Sequence, residues 1–440
     1  MLERKVENKF LTWKKTRTKQ GLLVTGARQV GKTSSIQQFA KKHYENLVKI
    51  DFVEQPQAIE LVSGASNIDD LLIRITSLSA KPLLPKKTLL FFDEVQRCGD
   101  AITWMRYLAE DGRFDVVYSG SMLGVEAYDF RSLPVGTIDI IEMFPLDFEE
   151  FTWGFGVDKS LWSIVRECFA AKSEVPEYLH TKFMDLFCKY VLVGGMPEAV
   201  DLFVKTNDTA AMRQRQASIL NTYRADITRY ITNKKHAQNV KTIYNAMPAQ
   251  LNKENKRFIV SGIDKKRRFE DMQSNFDWLT GAGVALYVKR ALQAAFPLGM
   301  NREDSYFKFY LNDVGLLFST FSQASVQAII ANSKDINFGA AFENVAAQEF
   351  RAHGHKDMFY FNNKKIGEVD FLLEDGHTPK VLPVEVKSGK YFTKHAALDR
   401  LLSVSNYNIE SAFVLQRGNL FQSKANAKIT YLPMYMCALL

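Results

Sequence analysis

In the first third of the chain, apolar residues come in short unbroken runs, at residues 22–24, 89–92 and 116–118. Each run stops at a turn-forming or acidic pair: Thr25-Gly26, Asp93-Glu94 or Ser119-Gly120. Runs of this kind suit strands buried on both faces, the pattern of a parallel sheet. The segment GLLVTGARQVGKTSSIQQFA reads as a strand, a glycine-bounded loop and an amphipathic helix entered at Lys32-Thr33. From about residue 155 to 330 the spacing changes. LHTKFMDLFCKYVLVGG and QASILNTYRADITRYI carry apolar residues three and four apart, which predicts a mostly helical connector. In the last third, VDFLL and LPVEVKSGK read as two adjacent strands.

The predicted class is therefore α/β with a helical middle. At 440 residues the chain is long enough for about three domains by the usual prior of roughly 150 residues each. MLERKVENKFLTWKK interrupts its apolar positions with charges, unlike a signal peptide, and no apolar run approaches the ~18 to 20 residues that span a bilayer. A cytoplasmic chain without membrane contact is expected. Cys98, Cys168, Cys188 and Cys437 lack paired spacing, which speaks for reduced thiols rather than a zinc site or a disulfide framework. Seven scattered histidines suggest no metal cluster. The net charge of +8 suits a partner that carries phosphates, DNA included.

The loop after the first strand has the form of a P-loop, or Walker A element. Gly26, Ala27, Arg28, Gln29, Val30 and Gly31 would turn backbone N–H groups around the phosphates of ATP. Lys32 would reach the β and γ oxygens, Thr33 would offer its hydroxyl to Mg2+, and Ser34 continues the cradle. In KKTLLFFDEVQRC four apolar residues precede two carboxylates, which looks like a Walker B element. Asp93 would hold Mg2+ and Glu94 would polarise the attacking water. Ser119 or Ser121, at the end of the next strand, would sense the γ-phosphate or simply cap a turn. Gln96 and Arg97 read as surface residues of the following loop.

GARQVGKT, LLFFDEVQ, VVYSGSML, LPVG and MFPLDFEEF stand in an order that resembles a family of bacterial and archaeal ATP-binding proteins. YVLVGGMPEAV, YFKFYLNDVGLL, FGAAFENVAAQEF, GEVDFLL and LPVEVKSGK continue the resemblance over nearly the whole chain. It implies an AAA-type P-loop ATPase domain at 1–154, a helical connector with a winged-helix-like module at 155–325, and a restriction-nuclease-like α/β domain at 326–440. One element departs from the pattern: many relatives place an arginine just after the glycine of LPVG, where this chain reads Val135-Gly136-Thr137. Arg131 stands nearby in another frame.

Between Leu251 and Glu270, seven Lys and Arg residues stand against Glu254, Asp264 and Glu270. They suit either phosphate contacts of a winged helix or a solvated basic face. In the C-terminal strands, Glu385 and Lys387 lie two apart and so share a face, which brings them to one locus with Asp370. This resembles the PD-(D/E)XK nuclease arrangement. The resemblance implies that Asp370 and Glu385 hold Mg2+, that Glu343 on the preceding helix completes the site, and that Lys387 orients water or stabilises charge. Glu368 is given no role. Two functions follow: an ATP-hydrolysing switch that acts on DNA, or an ATP-regulated interaction or self-assembly factor whose nuclease-like domain is inactive.

Overall fold

Leu23, Val48, Ile50, Leu90, Phe92, Val116 and Tyr118 alternate along four neighbouring strands and are buried together, so one face of a sheet is apolar from edge to edge. In the computed structural model, which describes residues 2–16, 21–79, 81–120, 136–253, 256–322, 324, 338–376, 378–389 and 391–440, this face belongs to the first of two compact units. That unit comprises residues 3–144 with 281–283. Its strands β1 (Gly21–Gly26), β2 (Asn46–Asp51), β3 (Thr88–Asp93), β4 (Asp115–Ser119) and β5 (Ile138–Met143) are all parallel, in the order β2-β3-β4-β1-β5.

Helices α1 (Val6–Thr16), α2 (Lys32–His43), α3 (Gln57–Ser63), α4 (Ile68–Leu78) and α5 (Gly99–Asp111) accompany this sheet. The last three cover the apolar face with Ala58, Leu71, Ile75, Ile102, Met105 and Leu108. Each large side chain buried there contributes about 1.5 to 3 kcal/mol. Strand order has a consequence for the site: β4 lies between the strand that feeds the glycine loop and the strand that ends in Asp93.

The second unit comprises residues 145–280 and 284–440 with Leu2. Its helices are α6 (Phe148–Gly154), α7 (Lys159–Ala171), α8 (Glu177–Val193), α9 (Pro197–Thr206), α10 (Thr209–Tyr230), α11 (Lys234–Leu251), α12 (Gln273–Gly281, whose last residue falls to the first unit), α13 (Val314–Phe318), α14 (Gly339–Ala352) and α15 (Ala396–Leu402). Polar side chains fix several of their starts: Asp147, Asp158, Asp208, Asn233 and Asp313 accept from first-turn N–H groups. Phe148 sits at the centre of an aromatic cluster with Trp162, Phe183, Phe187, Tyr190 and Tyr435, joining the early helices to the end of the chain.

Eight strands form the sheet of this unit, in the order β12-β13-β11-β10-β9-β8-β6-β7. They are β6 (Ala285–Ala291), β7 (Arg302–Leu311), β8 (Met358–Asn363), β9 (Gly367–Glu374), β10 (Val381–Val386), β11 (Ala412–Gln416), β12 (Phe421–Gln422) and β13 (Ile429–Pro433). The antiparallel pair β6–β7 comes from the stretch expected to be a connector, and β6 pairs in parallel with β8. A break at 325/326 would thus cut through one sheet. The physical reason is that β6 carries apolar residues whose burial is completed by β8 and by the core of Ala291, Phe359, Phe361, Val369 and Val414.

Candidate functional site

Val24, Thr25 and Gly26 end β1, and the chain then turns through residues 27–31 into α2. Gly26 has φ +141° and Gly31 φ +92°, both in the region that favours glycine. A Cβ on Gly26 would stand 2.2 Å from the Met143 carbonyl oxygen, so that position also demands glycine for space. Ala27 and Val30 are buried and anchor the loop, Arg28 and Gln29 are half-buried, and Ser34 is exposed on the first turn of α2. Arg4, just before α1, donates from its two terminal nitrogens to the carbonyls of Val30 (2.8 Å) and Phe144 (2.7 Å), pinning the loop from behind.

Lys32 is buried, and its ammonium donates to the carbonyls of Gly26 (3.0 Å) and Ala27 (2.9 Å). Burial pulls its pKa down to about 8, against the charges of Glu94 and Asp93, which raise it. The Thr33 hydroxyl donates to Asp93 Oδ2 at 2.8 Å. Ser119, at the end of β4, donates to Asp93 Oδ1. Ser121 lies outside the described residues.

Lys49 on β2 stands 3.3 Å from Asp93 Oδ2 and 2.7 Å from Asp51 Oδ2. Burial lowers the Lys49 pKa, yet the Asp51 hydrogen bond and the Asp93 charge leave it above its ordinary value. Glu94 adopts a left-handed backbone, φ +57°, and its carboxylate accepts from Gln96 Nε2 at 2.5 Å with Arg28 at 3.8 Å. Gln96 is therefore buried beside the carboxylate, contrary to the expected surface position, because the left-handed turn at Glu94 folds the following residues back.

A second group of charges lies in the other unit. Glu343 on α14, Asp370 on β9, Glu385 on β10 and Lys387 just beyond it converge; the spacing brought the last three together, and the nuclease resemblance implied Glu343. They are joined by Glu368, Lys308, Lys256 and Tyr310. Lys308 on β7 is fully buried, with its ammonium 2.8 Å from Glu368 Oε1, 3.2 Å from Asp370 Oδ1 and 3.4 Å from Glu343 Oε2. Tyr310, two residues along the same strand, donates to Glu343 Oε2 at 2.8 Å, and Lys256 pairs with Glu343 Oε1. Val386 N–H donates to Asp370 Oδ2 at 2.9 Å, Lys387 pairs with Glu385 Oε1 at 2.6 Å, and Asp370 N–H approaches Glu385 Oε2 at 3.4 Å.

Burial and then the Asp370 charge push the Glu385 carboxyl up to about 8. Burial acts on Asp370 in the same sense, but Lys308 and Lys256 hold its pKa below the usual range. Lys308 itself is lowered by burial and raised more by Glu343 and its other neighbours, ending well above an ordinary lysine. Glu368 needs correction: it lies two residues from Asp370, hence on the same face, and it binds Lys308 and accepts from Asn362 Nδ2 at 2.7 Å. Among the described residues, no group of three or more His, Cys, Asp or Glu side chains is arranged to hold a metal ion.

Residues 18–152 match a family model described as an AAA domain. Residues 184–326 and 338–436 match two domains of unknown function, DUF8612 and DUF4143. The N-terminal part of the chain is thus similar to AAA domains. Among solved structures it is similar to a Walker-type ATPase of Pyrococcus abyssi, with 16% identity, 72% of this chain and 95% of that one covered, and a TM-score of 0.43. The Thermotoga maritima RuvB Holliday junction branch migration motor shares 16% identity over 64% of this chain and 89% of its own, at a TM-score of 0.29. The Aeropyrum pernix Orc1 protein in complex with DNA shares 10% over 76% and 93%, at 0.27. A search of the curated proteins returned no match.

Within the AAA domain, sequence reasoning named the loop, Thr33, Asp93 and Ser119 but missed Lys49 and Arg4. Neither belongs to a contiguous motif. A lysine two residues before the acidic end of a strand neighbouring β3 was the available signal for Lys49, since i and i+2 share a face and Asp51 pairs in register with Asp93. In the C-terminal centre it missed Lys308, Lys256 and Tyr310. Here too a period-2 reading of KFYL would have put Lys308 and Tyr310 on one face. Among the described residues no helix is long and apolar enough to cross a membrane.

Proposed function

We propose that the chain binds ATP with Mg2+ at the β1–α2 loop, hydrolyses it, and works as a nucleotide-driven switch. The observation that carries this reading is the 2.8 Å contact of the Thr33 hydroxyl with Asp93, beside a buried Lys32 whose ammonium donates to neutral loop carbonyls. A hydroxyl and a carboxylate at a strand end are hard oxygen donors and fit Mg2+. Thr33 and Asp93 would hold the ion, which supplies charge neutralisation at the phosphates when bound. Lys32 moves from its carbonyl partners to the β and γ oxygens, which relieves its buried charge. The glycine-loop N–H groups and the start of α2 bind the remaining oxygens. Glu94, released from Gln96 and Arg28, orients the attacking water. Ser119 reports the state of Asp93 to β4.

The C-terminal part is proposed to be restriction-nuclease-like. Its support is the succession α14, β8, β9, β10, α15, β11, with Glu343, Asp370 and Glu385 converging from three of these elements. Action on DNA through this domain is the first reading. The second, an ATP-regulated protein-interaction or assembly factor with an inactive nuclease-like domain, is favoured by one observation: a lysine ammonium stands among the carboxylates that would bind metal.

The deciding experiment measures ATP hydrolysis by wild type and Lys32→Ala, with and without DNA, beside a nuclease assay on the same samples. DNA-stimulated hydrolysis that Lys32→Ala abolishes supports a DNA-acting switch. No hydrolysis by wild type under Mg2+ overturns the ATPase reading, and hydrolysis indifferent to DNA, with no cleavage, moves the function to a protein partner.

A further inference from the structure

The C-terminal centre assembles four carboxylates, Glu343, Glu368, Asp370 and Glu385, with three ammonium groups, Lys256, Lys308 and Lys387. All eight carboxylate oxygens accept from a protein donor: Glu343 from Lys256, Tyr310 and Lys308; Glu368 from Lys308 and Asn362; Asp370 from Lys308 and Val386 N–H; Glu385 from Lys387 and Asp370 N–H. A divalent ion needs several of these oxygens to turn toward one point. That point is taken. Lys308 Nζ lies within 3.4 Å of three of the four carboxylates, and its side chain has no solvent exposure through which to withdraw.

The strand that delivers Lys308 is itself committed. β7 lies three places from β9 in the ladder, and flat strands about 4.8 Å apart would leave the two out of side-chain reach, so the curl of the sheet is what brings Lys308 to Asp370. Lys308 pairs in register with Val288 on β6 and forms a bridge with Arg257. Its backbone is therefore fixed on both sides, while Tyr310 on the same face secures Glu343. Moving the ammonium out would mean opening the sheet. An isolated ammonium in such a place would be expelled or neutralised, whereas three surrounding carboxylates keep it charged.

We infer that the C-terminal carboxylate centre carries its own permanent cation, the Lys308 ammonium, in place of a divalent metal ion, and that deleting this ammonium turns the centre into a divalent-cation site. The residues that resemble a metal-dependent nuclease therefore do not load a metal in this chain. The inference concerns the centre alone and stands or falls independently of ATP hydrolysis.

The test is a titration of the full chain, free of nucleotide, with Mn2+, followed by the free-ion electron paramagnetic resonance signal. Wild type and Asp370→Asn are expected to give superimposable isotherms, with any shared weak binding removed by Asp93→Asn. Lys308→Met, shown folded by circular dichroism, is expected to gain about one bound Mn2+, lost again in Lys308→Met/Asp370→Asn. A wild-type ion that disappears with Asp370→Asn overturns the inference. So does a folded Lys308→Met chain that gains none. Should Lys308→Met fail to fold, the comparison of wild type with Asp370→Asn decides alone: identical isotherms support the permanent cation, and a lost ion refutes it.

Discussion

Both units bury a lysine near carboxylates, yet the two arrangements face opposite electrostatic balances. In the AAA domain, buried Lys32 rests on two neutral carbonyls, and its pKa falls to about 8. In the C-terminal centre, buried Lys308 rests on three carboxylates, and its pKa rises well above the ordinary value. Burial lowers both; the partners decide the outcome. An under-compensated ammonium gains from an incoming anion such as a polyphosphate. A fully compensated one has nothing to gain from a ligand. Lysine and carboxylate in proximity are therefore not by themselves a site.

The largest expected effect breaks the compensated side. Lys308→Met leaves Glu343, Glu368 and Asp370 facing one another without their common cation, and removing one partner of a buried pair costs about 3 to 5 kcal/mol. Urea unfolding of the C-terminal transition should show a loss of that size. A loss below about 1 kcal/mol would mean that the carboxylates are compensated in some other way.

Lys32→Ala should do the reverse, lowering kcat/KM for ATP by about 10²- to 10³-fold, the scale for losing one preorganised donor to developing charge. Stability should hold or rise slightly, because a poorly compensated buried ammonium is removed. Steady-state hydrolysis and urea unfolding of the same preparation read both. Equal damage to stability and activity would show that Lys32 is as structural as Lys308.

Asp313 offers a buried carboxylate that, among the described residues, pairs with backbone N–H groups and no ammonium. It accepts N–H groups from Gly195 at 2.6 Å and Leu316 at 3.0 Å, and burial nonetheless pushes its pKa up to about 6. Raised from 3.8, it keeps a proton in the folded state that the unfolded chain has released. Its contribution to stability is thus full below pH 4 and is lost as pH rises through 6, by about 3 kcal/mol in all. Unfolding free energies between pH 4.5 and 7.5 should show that downward slope, and Asp313→Asn should flatten it whatever its absolute stability. A slope unchanged by the substitution would assign it to another group.

What could be read from the sequence follows the range of the interaction. The P-loop and the acidic end of β3 are contiguous, since phosphate binding and strand termination each act over a few residues, and both stand where the pattern put them. Convergence of Asp370, Glu385 and Lys387 followed from the period of adjacent strands. Lys308 did not, because a lysine in an apolar strand reads as a solvent-facing residue until the curl of an eight-stranded sheet is known. The pairing of β6 with β8 was hidden for the same reason: 66 residues separate Ala291, the end of one strand, from Met358, the start of the other, and no local signal records such a partner.

Lys49 lies between the two cases and gives the smallest effect. Its ammonium is part-exposed and bridges Asp51 and Asp93, so it offsets the carboxylate that Mg2+ would use while remaining free to leave. A part-exposed pair is worth about 1 kcal/mol at most. If Lys49 competes with the ion, Lys49→Met should lower the Mg2+ concentration for half-maximal hydrolysis up to about fivefold, with kcat unchanged; the conversion is about 1.4 kcal/mol per tenfold. Hydrolysis measured against Mg2+ at saturating ATP separates the alternatives. An unchanged Mg2+ requirement with a raised KM for ATP would make Lys49 a contact of the nucleotide instead, and the AAA site would then hold two lysines waiting for an anion rather than one waiting and one standing in for a metal.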